Sequence, residues 1–345
     1  MSGVALAAGW AADVALGDPR RFHPVAGFGR VALALERIVH APSRLRGALF
    51  ATLLVGGAAA AAEAAARLAE RLGGRAGRAV VTAALAWCAL GGRSLAREGR
   101  RIADRLDAGD LDGARAALPA LAGRDPSRLD ASGVSRAVVE SLAENTADAV
   151  VGALVWGAAA GPAGIAAYRA ANTLDAMVGH RSPRYERFGF AAAKLDDLMG
   201  WPGARLGALL SVAGAPLAGG SPRAAWRILR RDGAAHPSPN AGRMEAAFAG
   251  ALGLRLGGPL AYGERAELRP PLGDGRAPQP SDAARAARLS LAVGAAAALL
   301  CAAARAARPA ARPAAARPAA RAARPAARPS RGVDTSARSS RGAVR

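Results

Sequence analysis

The stretch ESLAENTADAVVGALVWGAAAGPAGIAAY, residues 140–168, decides how this chain is read. Glu140, Glu144 and Asp148 come at steps of four. On a helix of 3.6 residues per turn those steps drift by only about 80° over eight residues, so the three carboxylates share one stripe. Like charges so placed repel by a few tenths of a kcal/mol per pair when exposed, and more when desolvated. A cation relieves that repulsion, and Mg²⁺ suits because it takes oxygen ligands and bridges carboxylates to substrate phosphates. The simpler alternative is a solvated acidic face balanced by Arg136. The remainder, 149–168, is apolar and near the length of about 20 residues that spans a bilayer, but Pro162 interrupts it.

Outward from this stretch the chain repeats the same alternation. Five further apolar runs are candidate spans: 3–17, interrupted by Asp13, then 47–62, 79–92, 204–220 and 289–304. Most are short for a crossing. Buried helices of a soluble bundle are the alternative, but six such runs exceed what a bundle of this length needs. The charged link between 47–62 and 79–92 predicts a helical hairpin. No series of strands with alternating polarity is visible, so the expected class is all-α. No basic n-region and cleavage site precede 3–17, so no cleaved signal peptide is expected.

Composition agrees. Of 345 residues, 52% are hydrophobic but only 4% aromatic, so alanine and glycine carry the apolar count. Small residues suit close packing between membrane helices. The net charge of +21 would ordinarily point to nucleic acid or anionic lipid. Its distribution argues against nucleic acid. From Arg305 to Arg345 the chain holds eleven arginines against the single Asp334, so this tail supplies +10 of the +21. Its recurring Arg-Pro-Ala units forbid a regular helix and offer nothing to bury, so 305–345 is expected to be a disordered basic tail behind a 1–304 membrane-embedded domain. Cys88 and Cys301 lie in apolar runs and read as small buried hydrophobes. The four histidines are scattered, which speaks against a histidine-ligated metal, and no Walker A or GxGxxG loop appears.

Polar punctuation gathers between the apolar runs. GDPRRFHPVAGFGR (17–30), ESLAENTADAVV (140–151), NTLDAMVGHRSPRYERFGFAAAKLDDLMGWPGARL (172–206) and HPSPNAGRMEAAFAGALGLRLGGPLAYG (236–263) follow in that order. In order and spacing these motifs resemble the CobD/CbiB family of cobalamin biosynthesis, the adenosylcobinamide-phosphate synthases. The resemblance covers residues 3 to about 300. Two features depart from it: at Arg243 and Met244 the family more often has an aromatic residue followed by proline, and the Arg-Pro-Ala tail has no counterpart.

The resemblance implies a multi-pass protein of the cell membrane with polar loops between its helices. It implies joining of the carboxyl of adenosylcobyric acid to an aminopropanol or its phosphate, with ATP as co-substrate and Mg²⁺ as cofactor. Positioning and charge neutralisation dominate such phosphoryl transfer. On that basis Glu140, Glu144, Lys194, Asp196 and Asp197 are the expected catalytic group, and Glu144, Asp148 and Asp175 the expected metal ligands. Asp18, His23, Asn145, Arg169, Asn172, Arg184, His236, Ser238 and Asn240 are expected to contact substrate, with Lys194, Arg169 and Arg184 clamping phosphates. The expected partners are these substrates and the lipid bilayer, with no nucleic acid; the oligomeric state stays open.

The rival from another class is a transporter or channel using Asp13 and the Glu140 stripe as an intramembrane relay. The polar motifs fall mostly outside the apolar runs, which favours an enzyme whose site faces the cytoplasm, where ATP is. One point stays open. If all six runs cross, 93–148 and 169–203 face opposite sides, yet the resemblance places both in one site. Either 149–168 fails to cross, being broken at Pro162, or 204–220 pairs with it as a re-entrant hairpin.

Overall fold

The computed structural model describes residues 2–19, 23–180, 182–262 and 265–307. Eleven α-helices run in chain order among them: α1 (Ser2–Leu16), α2 (Pro24–Val39), α3 (Arg44–Ala89), α4 (Gly92–Asp107), α5 (Leu111–Ala117), α6 (Ala131–Thr146), α7 (Gly152–Leu174), α8 (Phe190–Ala213), α9 (Pro222–Asp232), α10 (Ala241–Leu252) and α11 (Pro280–Ala307). By length and composition three helical stretches could cross a membrane: Arg44–Asp107, Ala131–Gly179 and Pro280–Ala307. The expected helical class holds, with one addition. Strands β1 (Leu256–Tyr262) and β2 (Arg265–Leu272) form an antiparallel hairpin between α10 and α11. Two adjacent glycines with positive φ, Gly257 and Gly258, bulge its first strand, a conformation that needs no Cβ.

Two of the three long stretches fold back on themselves at glycines. In α3, Gly73 and Gly74 leave helical geometry, Gly74 at φ 59°. Beyond them Arg78 reaches back to Glu63 at 2.9 Å. In an unbroken helix those residues would stand about 22 Å apart. The hairpin expected between 47–62 and 79–92 is therefore present, with its charged tip made of Glu63, Glu70 and Arg78.

The second fold-back settles the reading of 149–168. Gly161, at φ 64°, ends one helical arm, and Pro162 begins the next, where its missing N–H costs nothing. Gly152 on the outgoing arm meets Tyr168 on the returning one so closely that a Cβ there would lie 2.2 Å from the ring. A straight helix would hold them about 24 Å apart. From the level of Asp148 and Asp175 to the turn each arm runs about 20 Å, and the outgoing arm continues back without a break through α6. The run therefore reverses at its middle, and its two ends lie at one level. The expected span at 149–168 is thus a helical hairpin and not one straight helix. The expected run 204–220 also divides, α8 ending at Ala213 before a short 3-10 turn, Ala215–Ala218.

Small residues let the hairpin sink into the bundle. A Cβ on Gly203 of α8 would lie 2.8 Å from the Cα of Gly152, and one on Gly207 would lie 2.9 Å from the Met244 sulfur of α10. α11 closes the other side, where the Thr146 hydroxyl meets that of Ser290 at 2.6 Å. α11 continues through Arg305 to Ala307, slightly past the expected start of the tail. The remainder of the expected disordered tail, 308–345, lies outside the described residues.

Candidate functional site

The hairpin turn at Gly161 puts Asp148 and Asp175 at one level, each about the same distance along its arm. Each begins or sits within a π-helical turn, Ala147–Val151 and Asp175–Gly179. Such widened turns re-aim side chains and recur at functional sites. Asp148 lies within electrostatic reach of Glu144, Asp196, Arg169 and Asp175. α8 contributes Asp196, whose neighbours include Asp175, Asp197 and Glu144. Arg169 donates to the Asn172 side-chain Oδ1 at 2.9 Å, and the Asn172 side-chain amide donates to Asp196 at 3.4 Å. Asp18 faces Arg169 electrostatically from the α1–α2 connection. Glu144, Asp148, Asp175 and Asp196, from two polar stretches, thus lie within electrostatic reach of one another, with Arg169 beside Asp148 and Asp196. Among the described residues no three acidic, histidine or cysteine side chains are arranged to grip a bare ion.

Burial, helped by the negative charge of Asp175, pushes the Asp196 carboxyl up to about 7, against a counteracting hydrogen bond from Asn172. The unfolded carboxyl ionises near pH 3.9. Between those values the folded chain holds a proton that the unfolded chain has lost, so stability is expected to fall as pH rises from about 4 through 7. Thermal unfolding in detergent without divalent metal checks this. Asp196→Asn should flatten the slope over that window, and an unchanged slope would remove Asp196 from the cluster's titration.

A second buried group adjoins the first. Glu140 is fully enclosed, paired with Arg124 at 2.7 Å, and accepts the Gly257 amide at 2.8 Å. One turn earlier, Arg136 donates to the Gly257 carbonyl. The two side chains bracket one peptide of the hairpin bulge, so Glu140 anchors β1 and stands apart from Asp148 and Asp175. Glu245, wholly buried on α10, lies 3.7 Å from both the His236 Nε2 and an Arg269 nitrogen. Burial, reinforced by Glu140 and Glu144, pushes its carboxyl well above the usual range. Glu144 connects the groups, being within reach of Arg269, Arg124 and Glu140.

Other expected site residues make local contacts. His23 caps α2 by accepting the Val25 amide. Asn145 donates to the Ser141 carbonyl and hydroxyl. Arg184 pairs with the buried Glu36 at 2.9 Å, fixing its turn to α2. Lys194 pairs with Asp197 at 2.8 Å on an exposed face. Asn240 donates to the Asp197 carbonyl and accepts from Arg205. His236 and Ser238 accept backbone amides around the start of α10. Asp13 accepts the Gly92 and Arg93 amides at 3.0 and 3.3 Å, the contacts of a helix cap rather than of a relay. Sequence reading missed Arg124, Glu245 and Arg269. A lone acid inside the apolar MEAAFAGAL was the available signal for Glu245.

The CobD/Cbib protein family model matches residues 6–290, which takes in every element described from α1 into α11. The chain belongs to the CobD/CbiB family. The family works in cobalamin biosynthesis and is known as the adenosylcobinamide-phosphate synthases. The chain is 54% identical over 288 residues to "Cobalamin biosynthesis protein CobD" of Mycobacterium tuberculosis (strain ATCC 25618 / H37Rv), covering 84% of this chain and 91% of that one. It is 44% identical over 266 residues to the protein of the same name from Geobacter metallireducens, covering 76% and 83%. A Rhodobacter capsulatus protein of that name is 44% identical over 285 residues, covering 79% and 88%. No solved structure matches. Family membership makes the chain a cobalamin-biosynthesis enzyme and leaves the roles of individual residues to the geometry above.

Proposed function

We propose that the chain joins the carboxyl of adenosylcobyric acid to an aminopropanol or its phosphate, using ATP, at the open end of the α6–α7 hairpin. The observation that carries this reading is the convergence of Glu144, Asp148, Asp175 and Asp196 beside Arg169 in a member of this family. A carboxylate forms an amide at neutral pH only after activation. Its oxygen attacks the γ-phosphorus, ADP departs, and the amine then attacks the acyl carbon and expels phosphate.

These hard, crowded oxygens fit Mg²⁺, which keeps several waters and needs only one or two protein carboxylates beside substrate phosphates. One or two of Glu144, Asp148 and Asp175 would hold it beside the substrate phosphates, and it would neutralise charge on the transferring phosphoryl group. Arg169, fixed by Asn172, would orient the phosphate oxygens. Asp196, with its carboxyl near neutrality, is suited to take the proton released by the amine. Because the run reverses at Gly161, 93–148 and 169–203 would share a face in this reading, and the use of ATP favours the cytoplasmic one.

A ligase assay on purified membranes, run with each amine and with ATP and Mg²⁺ omitted in turn, tests the reading. Product with neither amine would refute it. A chain ending at Ala307, the end of α11, should retain the rate, since the family match stops at residue 290.

A further inference from the structure

A cleft of about 640 Å³ opens between the start of α6 and the β-hairpin, away from the carboxylate cluster. Three arginines line it from three directions: Arg136 on α6, Arg255 just before β1 and Arg269 on β2. Asp130 is the only acid among the described residues of its walls, and that side chain is engaged in capping α6 through the Gly133 amide. Each guanidinium is held differently. Arg136 rests on the Gly257 carbonyl, and a Cβ on Gly258 would stand 2.9 Å from its nitrogen, so the glycine bulge makes room for it. Arg269 is backed by the buried Glu245. Arg255 has its backbone fixed through the Arg276 carbonyl at 2.9 Å, while its exposed side chain makes no ion pair among the described residues.

We propose that this cleft is a phosphate subsite, taking the phosphate ester or anhydride of one of the small substrates. Three guanidinium forks from separate elements, two of them held in place, suit an anion with several oxygens better than a single carboxylate. The placement fits binding at a distance from the reacting atoms. Along α6, Arg136 stands two turns, about 12 Å, before Glu144. Arg269 spans the interval, lining the cleft and lying within electrostatic reach of Glu144. Two ligands carry the required chemistry, the polyphosphate of ATP and the ester of an aminopropanol phosphate. Their identity rests on the ligase reading above; the existence of an oxyanion subsite does not.

Arg255 is the residue to change, because its side chain makes no ion pair or hydrogen bond among the described residues. Binding of labelled ATP and of labelled aminopropanol phosphate is measured on the full chain in detergent, for wild type, Arg255→Ala and Arg255→Glu. One of the two ligands is expected to bind about tenfold more weakly to Arg255→Ala, as losing one charge-assisted hydrogen bond entails. The loss should be larger in Arg255→Glu. Selective loss of ATP assigns the cleft to the nucleotide, and selective loss of the ester assigns it to the amine substrate. Unchanged affinity for both ligands in both variants, or a wild type that binds neither, overturns the proposal. The ligase assay separates the two claims: a phosphate effect at Arg255 in a protein that forms no amide would sink the ligase reading and leave the subsite standing.

Discussion

Replacing Asp148 by Asn, or Glu144 by Gln, is expected to lower ligase turnover on the order of 10²- to 10³-fold, the scale seen when one fixed electrostatic contact to a developing charge is removed. Both exchanges keep shape and remove charge. Asp148 lies among Glu144, Asp175 and Asp196 with Arg169 as its nearby cation, so the folded protein loses repulsion when it is neutralised. Thermal stability should hold or rise while activity collapses. The magnesium concentration needed for half-maximal rate should rise in both variants. A solvated or structural role gives a different pattern: full activity, unchanged magnesium dependence and a stability change within about 0.5 kcal/mol. Wild-type rates in both variants would remove the outgoing arm from the chemistry and leave Asp175, Asp196 and Asp197 to carry it.

Gly152→Val is expected to cost about 3 kcal/mol or more of stability and to abolish activity with it. The added carbon would lie 2.2 Å from the ring of Tyr168, which is itself wholly buried. On the other side the Cα of Gly152 touches the backbone of α8 at Gly203. Overpacking of this kind usually costs 1–3 kcal/mol and more where neither neighbour can yield. Gly56→Val is the control, since a Cβ there meets nothing within 4 Å. Its unfolding temperature in detergent should stay near that of the wild type. Equal losses in the two variants would mean that valine at a helical glycine, rather than hairpin closure, sets the effect.

Much of this was legible in the chain. The period of four between Glu144 and Asp148 survives as one helix face, and the charged link at 63–78 does turn a hairpin. Glu140 shares the same period but serves a different end, because its neighbour is a hairpin 117 residues later in sequence. Period reports which face a residue occupies; it cannot report what the chain later lays against that face. Glycine geometry was hidden for a related reason. Pro162 drew notice as the breaker, yet Gly161 supplies the positive φ that reverses the chain, and proline only starts the return. The β-hairpin escaped because GGP and RPP break any alternating pattern. Arg184 read as a phosphate clamp until its partner Glu36, 148 residues earlier, was in view.

The reversal at Gly161 also bears on how the protein is made. Asp148 and Asp175 are 27 residues apart in sequence, so their meeting is a local event with a small loop-closure penalty. The two arms reverse at Gly161 and pack on each other, so they are expected to fold as a pair. Gly203 on α8, against which the hairpin packs, is synthesised after both arms. The acidic pocket is therefore assembled late in biogenesis: its carboxylates can be brought together early, but the wall that secures them arrives only when α8 leaves the ribosome.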